Sequence, residues 1–187
     1  IPFYYDWRLS PGEIAPRLST RINNSLLPNE KINIVAHSYG GLVARSYIEQ
    51  TQADSKIDAL LTVGTPHAGG VDAYPAWAGG DLRMLSDPWE RFKLELIIYY
   101  CGARFHITPI EALHTYAPGL QSVLPTFNYL RNNATNSIKP VSTQFYQNSW
   151  LPNIYFPPPF FGIRFGTFRG SGFETLEELK VKPPTPL

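Results

Sequence analysis

Apolar residues recur every fourth position from Ile14 through Leu18 and Ile22 to Leu26, the stripe of an amphipathic helix. Just ahead, Ser10-Pro11-Gly12-Glu13 has the spacing of a capping box with proline at the first helical position. Pro16 has no N–H to give inside a helix, which moves the expected start nearer Ala15, and Pro28-Asn29 ends the element. Two later runs, Lys31 to Ala36 and Ile57 to Val63, are short and rich in apolar residues, as in parallel strands covered on both faces. Gly41 to Gln50 between them reads as a helix, and the aromatic-rich Phe3 to Arg8 reads as a first strand. Strand, helix, strand, helix, strand at this spacing implies right-handed crossovers and a partial parallel sheet flanked by helices, an α/β fold.

Beyond Gly64 the pattern changes. Glycine pairs at 69–70 and 79–80 bracket a short aromatic segment, Trp89 to Arg104 is helical in pattern, and Pro109 to Leu130 is broken helix and loop. Asn132 to Lys139 is polar and reads as a turn, and Pro157 to Phe161 is a stiff apolar spur. Glu174 to Val181 returns to a strand-like or short helical pattern. The expected organisation is a partial core with the serine turn over 1–70, an aromatic and proline-rich cap or lid over 71–170, and a truncated return towards the core sheet over 171–187.

Composition narrows the function classes. The net charge of +1, from 16 basic and 15 acidic residues, gives no electrostatic footprint for nucleic acid. Aromatics at 14% argue against a disordered chain. Cys101 is the sole cysteine, so no intramolecular disulfide can form and no cysteine-based metal site is expected; no cofactor is implied. The longest apolar run, Leu94 to Cys101, is interrupted by Glu95 and falls short of a membrane-spanning helix. The chain opens Ile1-Pro2 directly into strand-like sequence, as expected of an internal piece of a longer protein.

The candidate chemistry lies in Ala36-His37-Ser38-Tyr39-Gly40-Gly41, between a strand and a helix. A nucleophile elbow turns so sharply that the residues two before and two after the serine must be small. Ala36 and Gly40 meet that demand, and Gly41 continues it. Ser38 would then stand at the carboxyl end of a parallel strand, facing the positive end of a helix. The Tyr39 N–H would be a donor to a developing oxyanion. His37 is adjacent but on the opposite face of an extended chain, which suits packing or hydrogen bonding and not general-base work. The competing reading is a serine that merely caps the helix.

These residues carry a resemblance. FYYDWRLSP, VAHSYGGLVARSYIEQ and LLTVGTPHAGGVDAYPAWAGGD resemble, in order and spacing, the lecithin–cholesterol acyltransferase-like branch of the α/β-hydrolase lipases. LPTFNYL with QNSWL, and GSGFET with LKV, resemble its later segments. The resemblance implies an α/β-hydrolase fold and acyl-ester chemistry on lipid-like esters. It implies Ser38 as nucleophile, Tyr39 as the oxyanion position and transient contact with a lipid surface. It also implies a secreted or extracytoplasmic setting. His67 falls in Gly-Thr-Pro-His, which in that family lies by the site without being the catalytic histidine. The family's second oxyanion donor, its Gly-Asp-Gly-Thr-type aspartate loop and its catalytic histidine have no counterpart between Ile1 and Leu187.

Two alternatives stand beside this reading. A complete triad in the order serine, acid, histidine can be written with Ser38, one of Asp72, Asp81 or Asp87, and His106 or His114. It lacks a readable core strand between Gly64 and His106 to carry the histidine. The other alternative is a catalytically inactive α/β-hydrolase-like domain that binds lipid or protein. The aromatics Trp77, Trp89, Tyr99, Tyr100, Phe105, Trp150, Phe160 and Phe161 would line an acyl pocket on one view and fill the core on another.

Overall fold

The computed structural model describes residues 1–51, 56–84, 87–153, 162–172 and 174–182, which form two compact units. The first comprises Ile1–His67 with Trp150–Phe173, and the second Ala68–Ser149 with Glu174–Leu187.

The first unit begins with α1 (Pro11–Asn23), which starts at Pro11 and not at Ala15 as Pro16 had suggested. The reciprocal capping box of Ser10 and Glu13 fixes the start. Because Pro16 has no N–H, the carbonyl of Gly12 loses its helical partner. Gln50 Nε2 donates to that carbonyl at 3.3 Å, from the last turn of α2 (Tyr39–Thr51). A proline that should have delayed the helix is thus accommodated by a side chain 34 positions later.

A parallel sheet follows, with β1 (Ile32–His37), β2 (Ile57–Val63) and β5 (Arg164–Phe168) in the order β1-β2-β5. Register pairs Ala36 with Thr62 and His37 with Val63, and Val63 with Phe168 on the far side. Ile14, Leu18 and Ile22 of α1 meet Val43, Ala44 and Tyr47 of α2, Ala36 of β1 and Leu60 of β2 in one buried cluster. A parallel sheet flanked by helices is therefore present as the sequence indicated.

Two further expectations are corrected in this unit, and one strand is added to them. Phe3–Arg8 is not a strand: the Asp6 carboxylate takes the Arg8 N–H and its guanidinium, at 3.1 and 2.9 Å, and Leu9 N–H turns back to Asp6 O. Such local pairing bends the backbone away from a ladder. Nor is β1 covered on both faces. Its burial alternates and Val35 is 71% exposed, because both helices of the core cluster pack on the Ala36 side. Finally, β5 was invisible in the sequence, since Arg164-Phe165-Gly166-Thr167-Phe168 has no apolar run of its own. The spur Pro157–Phe161 lies outside the described residues.

The second unit holds α3 (Ala73–Gly79), α4 (Pro88–Phe105) and α5 (Pro109–Tyr116). A three-stranded sheet runs β4-β3-β6, with β3 (Leu130–Asn132) antiparallel to β4 (Ile138–Lys139) and parallel to β6 (Leu179–Val181). The polar segment 132–139 is the hairpin turn expected of it. Gly69 needs to be glycine, because φ is 82° and a Cβ would fall 2.2 Å from Leu124 O. The aromatic residues divide: Trp77 is buried, whereas Trp89, Tyr99, Tyr100 and Phe105 are more than half exposed and so are not core.

Candidate active site

Ser38 joins β1 to α2 with φ of 51°, one of four described non-glycine residues in the left-handed region. That conformation costs a serine about 1–3 kcal/mol and persists only where the surroundings enforce it. Ser38 N–H donates to Val63 O at 2.9 Å, anchoring the turn to the end of β2, and Gly41 N–H returns to Ser38 O at 3.1 Å.

The space around it is tight, and at Gly41 it admits no side chain. A Cβ on Gly40 would lie 3.9 Å from the Ala36 Cβ and 3.2 Å from the Tyr5 hydroxyl. A Cβ on Gly41 would lie 2.0 Å from Thr65 Oγ1, closer than atoms can approach. Tyr39 donates its hydroxyl to Leu9 O at 2.7 Å, and its ring stands 6.2 Å from Tyr5, which stacks on Phe3 at 5.8 Å. The amino-terminal aromatics thus serve the elbow as packing although they form no strand. His37 is exposed on β1. A cleft of about 420 Å³ runs along β1, bounded by Phe3, Tyr5, Ala36, His37 and Gly40.

Beside the elbow lies a bonded chain that the sequence did not reveal. Arg45, fully buried in α2, places Nη1 3.1 Å from His67 Nδ1, and His67 Nε2 is 3.1 Å from Thr62 Oγ1. An arginine can only donate, so Nδ1 is the acceptor and the imidazole carries its proton on Nε2. That proton goes to Thr62, whose hydroxyl is then directed at Gly166 O, 3.5 Å away. Burial, then the neighbouring charges of Arg45 and Arg169, pull the His67 pKa down to about 4. Burial also lowers Arg45 to about 10, still charged at neutral pH. His67 is a neutral link joining α2, β2 and β5, a structural histidine as its motif suggested. One signal was available: Arg45 is the sole charge in the otherwise small and apolar-rich run Gly41 to Ile48. Thr62 and Thr65 carried none.

The remaining candidates belong to the second unit, and all but Asp72 have local engagements there. Asp72 precedes α3 and makes no side-chain cap. Asp81 chelates the Arg83 guanidinium, with both carboxylate oxygens 2.9 Å from Nε, and this pairing lowers its pKa to about 2. Asp87 caps α4, accepting from Trp89 N–H at 2.8 Å. His106 is the left-handed cap at the carboxyl end of α4. His114 Nε2 is 2.8 Å from Trp77 O, and its ring stacks on Trp77 at 3.9 Å and abuts Tyr146. Among the described residues, no group of histidine, cysteine, aspartate or glutamate side chains has the arrangement of a metal site.

Parts of this chain are similar to known proteins. The GPI inositol-deacylase of Candida albicans is 44% identical over 48 residues, which is 26% of this chain and only 12% of that protein. The mature form of the Bacillus licheniformis lipase BlEst2 aligns with 57% of this chain and 45% of its own, at 17% identity and a TM-score of 0.34. The family model of lecithin:cholesterol acyltransferase matches residues 1–97, from the amino-terminal aromatics through the elbow into α4. The chain is a member of the lecithin:cholesterol acyltransferase family.

Proposed function

We propose that this chain carries the nucleophile of a serine-dependent enzyme that hydrolyses or transfers acyl groups of lipid-like esters. The observation that supports it most is the strained Ser38, φ 51°, between Ala36 and Gly40 at the junction of a parallel strand and a helix. Ser38 Oγ attacks the ester carbonyl, its proton passing to a base. The tetrahedral oxyanion is met by the Tyr39 N–H at the start of α2, a donor worth a few kcal/mol to the transition state. The intermediate collapses, the acyl–oxygen bond breaks, and the alcohol leaves with a proton. Water or a second alcohol then takes the acyl group from Ser38. Family membership and the deacylase relative support acyl-ester chemistry in general.

Within this reading Asp72, Asp81, His106 and His114 are structural groups of the second unit, not the acid and base. The support is the local pairing of Asp81 with Arg83 and of His114 with Trp77. Ser38→Ala in the intact protein abolishes ester hydrolysis and labelling by a fluorophosphonate probe. Labelling that persists in the variant overturns the assignment. A non-catalytic binding domain would instead bind lipid without turnover, and identically with and without the serine hydroxyl.

A further inference from the structure

The three strands of the first sheet end on one row. His37 pairs with Val63 and Val63 with Phe168, so one step further along lie Ser38, Gly64 and Arg169. The ladder continues into that row: Ser38 N–H donates to Val63 O at 2.9 Å, and Gly64 N–H to Phe168 O at 3.0 Å. Neighbouring strands stand about 4.8 Å apart, which roots Arg169 about 10 Å from Ser38. Both lie at the carboxyl ends of parallel strands, the edge at which open α/β sheets receive ligands. Alternation puts Phe165, Thr167 and Arg169 on one face of β5. Phe165 packs against the cluster built by α1 and α2 and meets the His67 ring edge-on at 6.2 Å. Burial, then Arg45, then Arg169 lower the pKa of that ring, so the Arg169 charge reaches it. Arg169 therefore stands on the side of the sheet along which α2 runs from Ser38.

Nothing along this edge neutralises the arginine. The turns 38–41, 64–67 and 169–172, by which the chain leaves the three strands, contain no acid. Among the described residues Arg169 is exposed and forms no ion pair. The amino terminus of α2 adds a partial positive charge beside Ser38. A guanidinium without a carboxylate partner, set on the same row as the nucleophile, is a receptor for an anion. Its planar fork of N–H donors matches the oxygens of a phosphate or a carboxylate.

We propose that Arg169 binds an anionic group of the ester substrate, a phosphate or carboxylate near the carbonyl that Ser38 attacks, and so selects anionic esters over neutral ones. The proposal rests on the nucleophile reading above and adds the class of ester that the site takes. The probes are soluble butyryl esters of glycerol 3-phosphate, of glyceric acid and of glycerol. They are titrated calorimetrically into the intact protein carrying Ser38→Ala, so that no ester is consumed. An anionic ester is expected to bind about tenfold more tightly than the glycerol ester. Adding Arg169→Gln removes that difference, and Arg169→Lys restores part of it. Whichever anionic ester loses more affinity identifies the group bound. With Ser38 in place, Arg169→Gln lowers the kcat/KM ratio of anionic to neutral ester about tenfold, and added salt lowers it in the unsubstituted protein. Far-ultraviolet circular dichroism checks that the exposed substitution leaves the fold intact. Equal binding of the three esters overturns the proposal, and so does an equal loss on all three in Arg169→Gln. Turnover of the neutral ester, and its loss in Ser38→Ala, is read separately. Its absence would overturn the nucleophile, while the binding measurement still decides the arginine.

Discussion

The bonded chain Arg45–His67–Thr62 gives a pH dependence whose sign and size follow from its geometry. His67 Nδ1 accepts from a buried arginine that cannot deprotonate at ordinary pH. Protonating Nδ1 would set two positive groups 3.1 Å apart and break the bond. The folded protein therefore holds His67 near 4 against an ordinary value of 6.5. Between those values the unfolded chain binds a proton that the folded one refuses, so stability falls as pH drops. The contribution is complete above about 6.5, declines from there to about 4, and is gone below. A gap of about 2.5 between the two values, at about 1.4 kcal/mol each, sets a ceiling near 3 kcal/mol. Partial access of solvent to the ring reduces the expectation to about 2 kcal/mol. The assay is urea unfolding of the intact protein and of His67→Gln at intervals from pH 8 to pH 4.5. Glutamine keeps a donor to Thr62 but has no proton to gain. The stability advantage of the unsubstituted protein over the variant should shrink by about 2 kcal/mol across that range. An advantage that stays constant with pH refutes the assigned tautomer and the reasoning built on it.

Other substitutions probe the elbow and the second unit. Ser38→Gly relieves the left-handed strain at φ 51° and should raise stability by about 1 kcal/mol while removing activity, read by thermal unfolding alongside ester turnover. Gly41→Ala drives a methyl into Thr65 and should cost about 1–3 kcal/mol, with loss of fluorophosphonate labelling as the helix start shifts; neutral stability would contradict the contact. Asn148→Ala leaves the carbonyls of Ser122 and Leu124 without their buried donor, at 2.9 and 2.8 Å. It should destabilise by about 2 kcal/mol in chemical denaturation.

How much was legible in the chain depends on whether the signal was local. The capping box of Ser10 and Glu13, the stripe Ile14–Leu18–Ile22 and the span of β2 were all read correctly, because each is set by neighbours within a few residues. The Ala36-to-Gly41 turn was readable for the same reason, since small residues at fixed offsets between a strand and a helix mark a sharp turn. Phe3–Arg8 failed because an aspartate two residues from an arginine can outbid a ladder that has no partner. Pro16 misled because Gln50 satisfies the carbonyl it frees, and nothing near Pro16 announces that.

The sequence by itself determined the alternation of strand and helix, the elbow at Ser38 and the family, all of which rest on short-range spacing. Only the tertiary structure decided that β5 completes the first sheet from a segment 101 residues past β2 (Val63 to Arg164). It alone decided that Thr65 forbids a side chain at Gly41, that His67 is held neutral between Arg45 and Thr62, and that α4 leaves an aromatic face uncovered. Each of these depends on which distant atoms arrive at a given place, and periodicity along a chain records the face a residue presents but not what comes to meet it.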